Sequence, residues 1–185
     1  YSSKIVSYIE NLDIDKLDYV IATHPHSDHI GGLSGVIEHF EVDEIIAPMI
    51  PDTLVPTSNS YYDFLNAVKK NGKGMSKAIA GEIYNLGDSQ FEIIAPLSEE
   101  SDDLNNYSVV CVFKYGENTA LFGGDASEYE ENDILKSGAD IDVDLLNVFH
   151  HGSSSSSGEE FLYNVSPEYC VIMCGADNSY GHPNK

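Results

Sequence analysis

Apolar residues along the chain follow two spacings. Ile5, Ile9 and Leu12 recur at helical intervals, as do Leu33, Val36, Ile37 and Phe40, and again Tyr61, Phe64, Leu65 and Val68. Between these stripes lie short continuous apolar runs: DYVIAT (18–23), VDEIIAP (42–48), QFEIIAP (90–96), SVVCVFKY (108–115), NTALFGG (118–124), VDLLNVF (143–149) and YCVIMC (169–174). These predict buried strands. Prolines 48, 51 and 56 mark a loop, Gly72 a helix C-cap, and Gly116-Glu117 a tight turn between two strands. SEYE (127–130) and SGEE (157–160) have the spacing of capping boxes and predict two more helix starts. Strands and helices interleave without a repeat or a break in composition, which predicts one α/β domain over 1–185.

Composition adds one departure from the ordinary. The 185 residues are 42% hydrophobic and 22% charged, normal globular values, but 31 carboxylates face only 9 Lys and Arg, a formal net charge of −22. Such a field repels polyanions, so weak affinity for long nucleic acid is expected. Of the three cysteines, Cys170 and Cys174 sit four apart in one strand run, about 13 Å in extended chain and too far for a disulfide. Buried free thiols are expected instead. No apolar run reaches 18 residues and no signal-peptide pattern is present, so no membrane crossing is expected. The chain opens without Met inside a helical pattern, which reads as a fragment whose compartment its start does not reveal.

Candidate chemistry begins at THPHSDHIGG (23–32). His24 and His26 straddle Pro25 at the end of an apolar run, and alternate residues of an extended segment point the same way. Asp28 and His29 follow where a helix begins, and Gly31 and Gly32 keep bulk away. A solvated polar turn is the plain alternative. Two further strand runs end in the same residue types, however: Asp125 after TALFGG, and His150 and His151 after VDLLNVF. Imidazole and carboxylate are shared ligands of Zn, Mn and Fe, and three strand ends carrying them together predict a metal site.

The set THPHSDHIGGL, NNYSVV (105–110), LFGGDA (121–126), FHHGSSSSS (149–157) and SYGHP (179–183) resembles the metallo-β-lactamase superfamily, in its ComEC-like branch. The resemblance implies an α/β fold, the four-layer αββα sandwich, with two divalent metal ions, Zn or Mn, at one edge. It also implies that the opening strands and the elements after GHP are missing here, so that the fragment folds poorly alone. His24 and His26 then bind the first metal, Asp28 and His29 the second, and Asp125 bridges them. Of the histidine pair, His151 is the implied ligand because it precedes Gly152, which leaves His150 facing the substrate. Many superfamily members supply a third histidine to the first metal. Here the only histidine in that interval is His39, in the helical pattern VIEHFEV, where a solvated or partly packed role is expected. ComEC-like sequences carry Asn and Ser instead, matching Asn105, Asn106 and Ser108.

A dinuclear site of this kind makes hydroxide available near neutral pH and polarises a phosphoryl oxygen. The expected activity is phosphodiester hydrolysis, nuclease-like, on a phosphoester such as single-stranded or short DNA, since ComEC-like domains belong to DNA uptake in competence. Catalytic roles fall to Asp28, His150 and His182, the last as general acid or, alternatively, as a plain loop residue. The run SSSSSG (153–158) either lines the cleft or is a flexible surface loop. Two other functions stay open: a small-phosphoester hydrolase resembling phosphorylcholine esterases, and a metal-stabilised binding module without turnover. Diiron oxidoreductases share the fold but usually carry Glu where His26 stands.

Overall fold

A computed structural model describes residues 2–98 and 100–184, and the fold divides between Lys77 and Ala78 into two compact units, each with its own sheet. In the first unit, helix α1 (Ser2–Glu10) leads to strand β1 (Lys16–Ile21), the short helices α2 (Ser27–Ile30) and α3 (Leu33–His39), and strand β2 (Glu41–Ala47). Helix α4 (Asn59–Asn71) and strand β3 (Ser76–Lys77) complete it. The three strands run parallel in the order β1-β2-β3, with Lys16 beside Glu41 and Ile46 beside Ser76. Val20, Val42 and Ile45 from the sheet pack with Ile30, Ile37, Phe64 and Val68 from the helices to form one core. Ser58 caps α4 by accepting from Tyr61 N at 3.3 Å, and Gly72 ends it at φ 79°, as its position predicts.

The second unit holds strands β4 (Ile83–Leu86), β5 (Ser89–Ala95), β6 (Val110–Tyr115), β7 (Asn118–Phe122), β8 (Leu145–Asn147) and β9 (Tyr169–Val171), in that spatial order. The β4-β5-β6-β7 pairs are antiparallel and β7-β8-β9 parallel. Helices α5 (Glu128–Ser137) and α6 (Glu159–Val165) are the crossovers. Their Ile134, Phe161 and Val165 join Ile94, Val110, Leu121, Leu146 and Phe149 in a second core.

Three expectations are corrected here. Cys170 is exposed on the edge strand β9 and Cys174 lies exposed in the chain beyond it, and of the three only Cys111 lies inside, where burial pushes its thiol up to about 12. SEYE is not a reciprocal box: Ser127 does cap α5, but the Glu130 side chain turns inward and accepts from Leu97 N at 2.9 Å. SGEE does not cap α6 either, since the N-cap is Gly158, without a side-chain bond. Among the described residues no helix is long and apolar enough to cross a membrane.

Candidate functional site

Each unit gathers its own group of candidate metal-ligating residues. In the first, β1 ends at Ile21 and the chain continues extended through His26, whose φ of −70° and ψ of 147° make it the N-cap of α2. The alternation brings His24 Nε2 within 3.0 Å of His26 Nδ1. The His29 ring returns from α2 to lie 4.2 Å, centroid to centroid, from the His24 ring. Asp28 is in the first turn of α2, 3.8 Å from His29 Nε2. His24 is buried at 1% exposure. The Thr23 hydroxyl, which sequence reasoning passed over, stands 3.3 Å from His24 Nδ1 and 3.4 Å from His29 Nδ1, holding both rings by the nitrogen turned away from their neighbours. His39 ends α3 far along the chain from this loop and pairs with Glu10 at 2.8 Å on the surface, the solvated role expected of it.

In the second unit Asp125 lies between β7 and α5, buried, with its backbone N–H donating to Ser108 Oγ at 3.1 Å. The neighbouring Asn106 takes the Ser127 hydroxyl. Two members of the Asn-Ser group are thereby committed to placing Asp125 and the start of α5. Asn105 Oδ1, by contrast, is buried and has no hydrogen-bond partner among the described residues.

After β8 the chain makes a left-handed excursion. His150 (φ 49°) and His151 (φ 57°) both occupy positive φ, followed by Gly152 at 78°. Histidine tolerates this region better than most residues, but two in succession store strain that the surroundings must hold. His150 N donates to Gly124 O at 2.9 Å, Asn184 N to Gly152 O at 2.8 Å, and Phe149 is buried against Gly123, where a Cβ would lie 2.2 Å from its ring.

The excursion turns both imidazoles toward Asp125. His151 Nε2 lies 3.4 Å from Asp125 Oδ1 and His150 Nε2 3.8 Å from Oδ2. The other His151 nitrogen, Nδ1, is 2.8 Å from Met173 O. A carbonyl only accepts, so Nδ1 carries a proton and Nε2 is the nitrogen that faces the carboxylate oxygen. Imidazole and carboxylate donors side by side fit a divalent metal, and the backbone carbonyl behind His151 is the outer partner such ligands need. Burial holds the His150 imidazole below its usual range; His151 and His182 push the same way, and Asp125 and Asp103 oppose them.

His182 comes next in the row of rings, its centroid 5.9 Å from that of His150. Asn178 fixes its backbone, accepting from His182 N at 3.0 Å and donating to His182 O at 2.7 Å. His182 Nδ1 is buried without a hydrogen-bond partner among the described residues.

The family model described as the Metallo-beta-lactamase superfamily matches residues 3–175. ComE operon protein 3 of Bacillus subtilis is 28% identical over 181 residues, which cover 98% of this chain and 23% of that protein. Competence protein ComA of Neisseria gonorrhoeae is 28% identical over 182 residues, again 98% of this chain and 23% of the relative. The chain thus spans under a quarter of the length of these curated relatives. Among solved structures, Igni18, a metallo hydrolase from Ignicoccus hospitalis, superposes with a TM-score of 0.53 at 16% identity, covering 84% of this chain and 63% of that one.

Proposed function

Because the chain belongs to the metallo-β-lactamase superfamily, has its α/β fold and is similar to competence proteins of the ComEC-like kind, we propose that it is a metal-dependent phosphodiester hydrolase, nuclease-like, with residues 1–185 working as one domain. The residues that would hold the two cations in this proposal are His24, His26, Asp28 and His29 of the first unit and Asp125 and His151 of the second. Two bound divalent cations supply Lewis acidity and lower the pKa of a nearby water, and the mixed imidazole and carboxylate donors suit Zn or Mn. The observation that carries the reading is His151, locked by the Met173 carbonyl so that its Nε2 meets the buried Asp125 carboxylate.

The chain's own residues supply the rest. Thr23 and the Met173 carbonyl orient the imidazoles. His150 faces the substrate, and His182, held by Asn178, delivers the proton to the leaving oxygen. A phosphodiester is the favoured class because it offers two oxygens to two cations.

One observation favours a second substrate. Residues 78–185 carry 20 carboxylates against 3 lysines, a field that repels long polyanions and admits short ones or small esters of the phosphorylcholine type. Hydrolysis of bis-p-nitrophenyl phosphate with Mn or Zn, in the wild type and in Asp125→Ala, tests the activity. A rate lost in the variant supports it, and equal background rates in both leave a metal-stabilised binding module. Relative kcat/KM on a short single-stranded oligonucleotide and on a small choline phosphoester then decides between the two substrates.

A further inference from the structure

The row of rings that begins at His150 continues past His182. The Tyr180 and His182 rings are stacked, 5.7 Å between centroids and 9° from parallel, and Tyr180 is 80% exposed. With one face against His182, that exposure leaves the other face and the ring edge to solvent. Burial falls along the row, from the buried Asp125 through the half-buried His150 and His182 to the open tyrosine. The turn carrying the outer two rings is held from several sides. Asn178 Oδ1 accepts from Tyr180 N at 3.2 Å and from His182 N at 3.0 Å, while its Nδ2 donates to Gly175 O at 2.8 Å and His182 O at 2.7 Å. Asn184 ties the turn to the HHG excursion. Its N donates to Gly152 O at 2.8 Å, its Oδ1 accepts from Ser154 N at 2.9 Å, and its Nδ2 donates to Gly181 O at 3.3 Å. Pro183 sits directly on Gly152, where an added Cβ would lie 2.7 Å from the proline's own.

We infer that Tyr180 is a stacking platform for a nucleobase next to the reacting phosphate; the choice of a nucleobase rests on the proposed nuclease-like reading. Charge is the first argument. With 20 carboxylates against 3 lysines, residues 78–185 cannot grip a phosphate backbone by ion pairing. An aromatic face needs no positive field, and every base has a π-face to lay on it. Stacking thus supplies affinity where charge withholds it. Position is the second argument. A base seated on Tyr180 lies one ring from His182, the proposed proton donor, and two from His150. Rigidity is the third, because the Asn178 and Asn184 bonds hold the platform in place before any substrate arrives. A flat face outside any pocket reads no base edge, so the contact tolerates any base.

The test is equilibrium binding, to the full chain with zinc present, of a trinucleotide whose single base is 2-aminopurine, its other two sugars being abasic and its linkages cleavage-resistant phosphorothioates. The fully abasic trimer is the control. Wild type, Tyr180→Phe, Tyr180→Leu and Tyr180→Ala are compared at low and high salt. Wild type and Tyr180→Phe are expected to quench the 2-aminopurine fluorescence and to bind the base-bearing trimer about tenfold more tightly than the abasic one. Tyr180→Ala and Tyr180→Leu, the second of which keeps apolar bulk without a π-face, should lose both the quenching and the preference. The preference in wild type should survive high salt, since no ion pair makes it. A wild type without quenching, or a base preference retained in Tyr180→Ala or Tyr180→Leu, overturns the proposal. Hydrolysis of bis-p-nitrophenyl phosphate is measured in parallel. Base preference without turnover leaves the platform standing and defeats the hydrolase reading, and turnover without base preference does the reverse.

Discussion

The two units present imidazole and carboxylate groups by opposite means. The first draws His24, His26, Asp28 and His29 from one short stretch of relaxed backbone, where strand alternation and a helix start do the aiming. The second draws Asp125, His150 and His151 from separate strand ends, with both histidines at positive φ and tethers from Gly124, Met173 and Asn184 holding them. Charge divides the same way: residues 1–77 carry 11 carboxylates and 6 lysines, against 20 and 3 in residues 78–185. A contiguous ligand loop is built by local geometry. A scattered one must be paid for in backbone strain and recovered through packing.

Paired ligand deletions put that contrast to its hardest test. Both His26→Ala and His151→Ala are expected to lower kcat/KM by about 10³-fold, equivalent to ~4 kcal/mol. They should differ in stability. His26→Ala leaves an extended segment that needs no side chain to hold it, so its Tm should stay near wild type. His151→Ala frees the Met173 carbonyl and places Ala at φ 57°, so its Tm should fall by several degrees. Equal thermal shifts in calorimetry would erase the distinction between a relaxed and a held ligand set.

A pH slope belonging to the second unit follows in size. Burial pushes the Glu130 carboxyl up to about 7; the Leu97 N–H pulls the other way, and Asp133 raises it further. A carboxyl raised by folding binds its proton more tightly in the native than in the unfolded chain. Its contribution is therefore intact below about pH 4.5 and declines as pH rises to about 7, by roughly 3 kcal/mol for a shift of that size. Denaturant titrations across that window should show the slope in wild type and lose it in Glu130→Gln. Gly123→Ala comes next: a methyl 2.2 Å from the Phe149 ring overpacks the core directly beneath the HHG excursion, at a cost of about 1–3 kcal/mol. Its effect should reach metal affinity through His151, whereas a methyl added far from either loop should not.

How much of this was legible follows the same division. The strand runs through 18–23, 42–48, 90–96 and 118–122 form as their apolar spacing predicts, and the H-x-H-x-D-H loop reads directly because its geometry is local. The failures are tertiary. Glu130 has the spacing of a capping box, yet the pull of Leu97 N–H in the core takes its side chain inward. Cys170 and Cys174 lie in an apolar run that reads as a buried strand, but only Tyr169–Val171 of it forms a strand, at the sheet's edge, and both cysteines are exposed. The serine run has the composition of a flexible linker, and only its tethers to Glu131, His150 and Asn184 make it part of the site. Thr23 was readable in principle, since a hydroxyl preceding a ligand loop is a common orienter, but nothing in spacing alone says that it touches two histidines.

The smallest effect bears on whether His39 is a metal ligand. His39 is the histidine whose position between the two motifs invites assignment as a third ligand, yet its Nε2 pairs with Glu10 at 2.8 Å and its side chain is 47% exposed. An exposed pair of this kind contributes ~0.2–1 kcal/mol at most, and less as salt screens it. His39→Ala should therefore leave metal stoichiometry and kcat/KM unchanged and move stability by no more than a surface substitution does, with the difference shrinking in high salt. Asn105→Ala, made beside it, removes a buried amide oxygen that has no hydrogen-bond partner among the described residues, and should weaken metal binding where His39→Ala does not. If elemental analysis instead shows a metal lost from His39→Ala and retained in Asn105→Ala, then His39, and not Asn105, is the ligand.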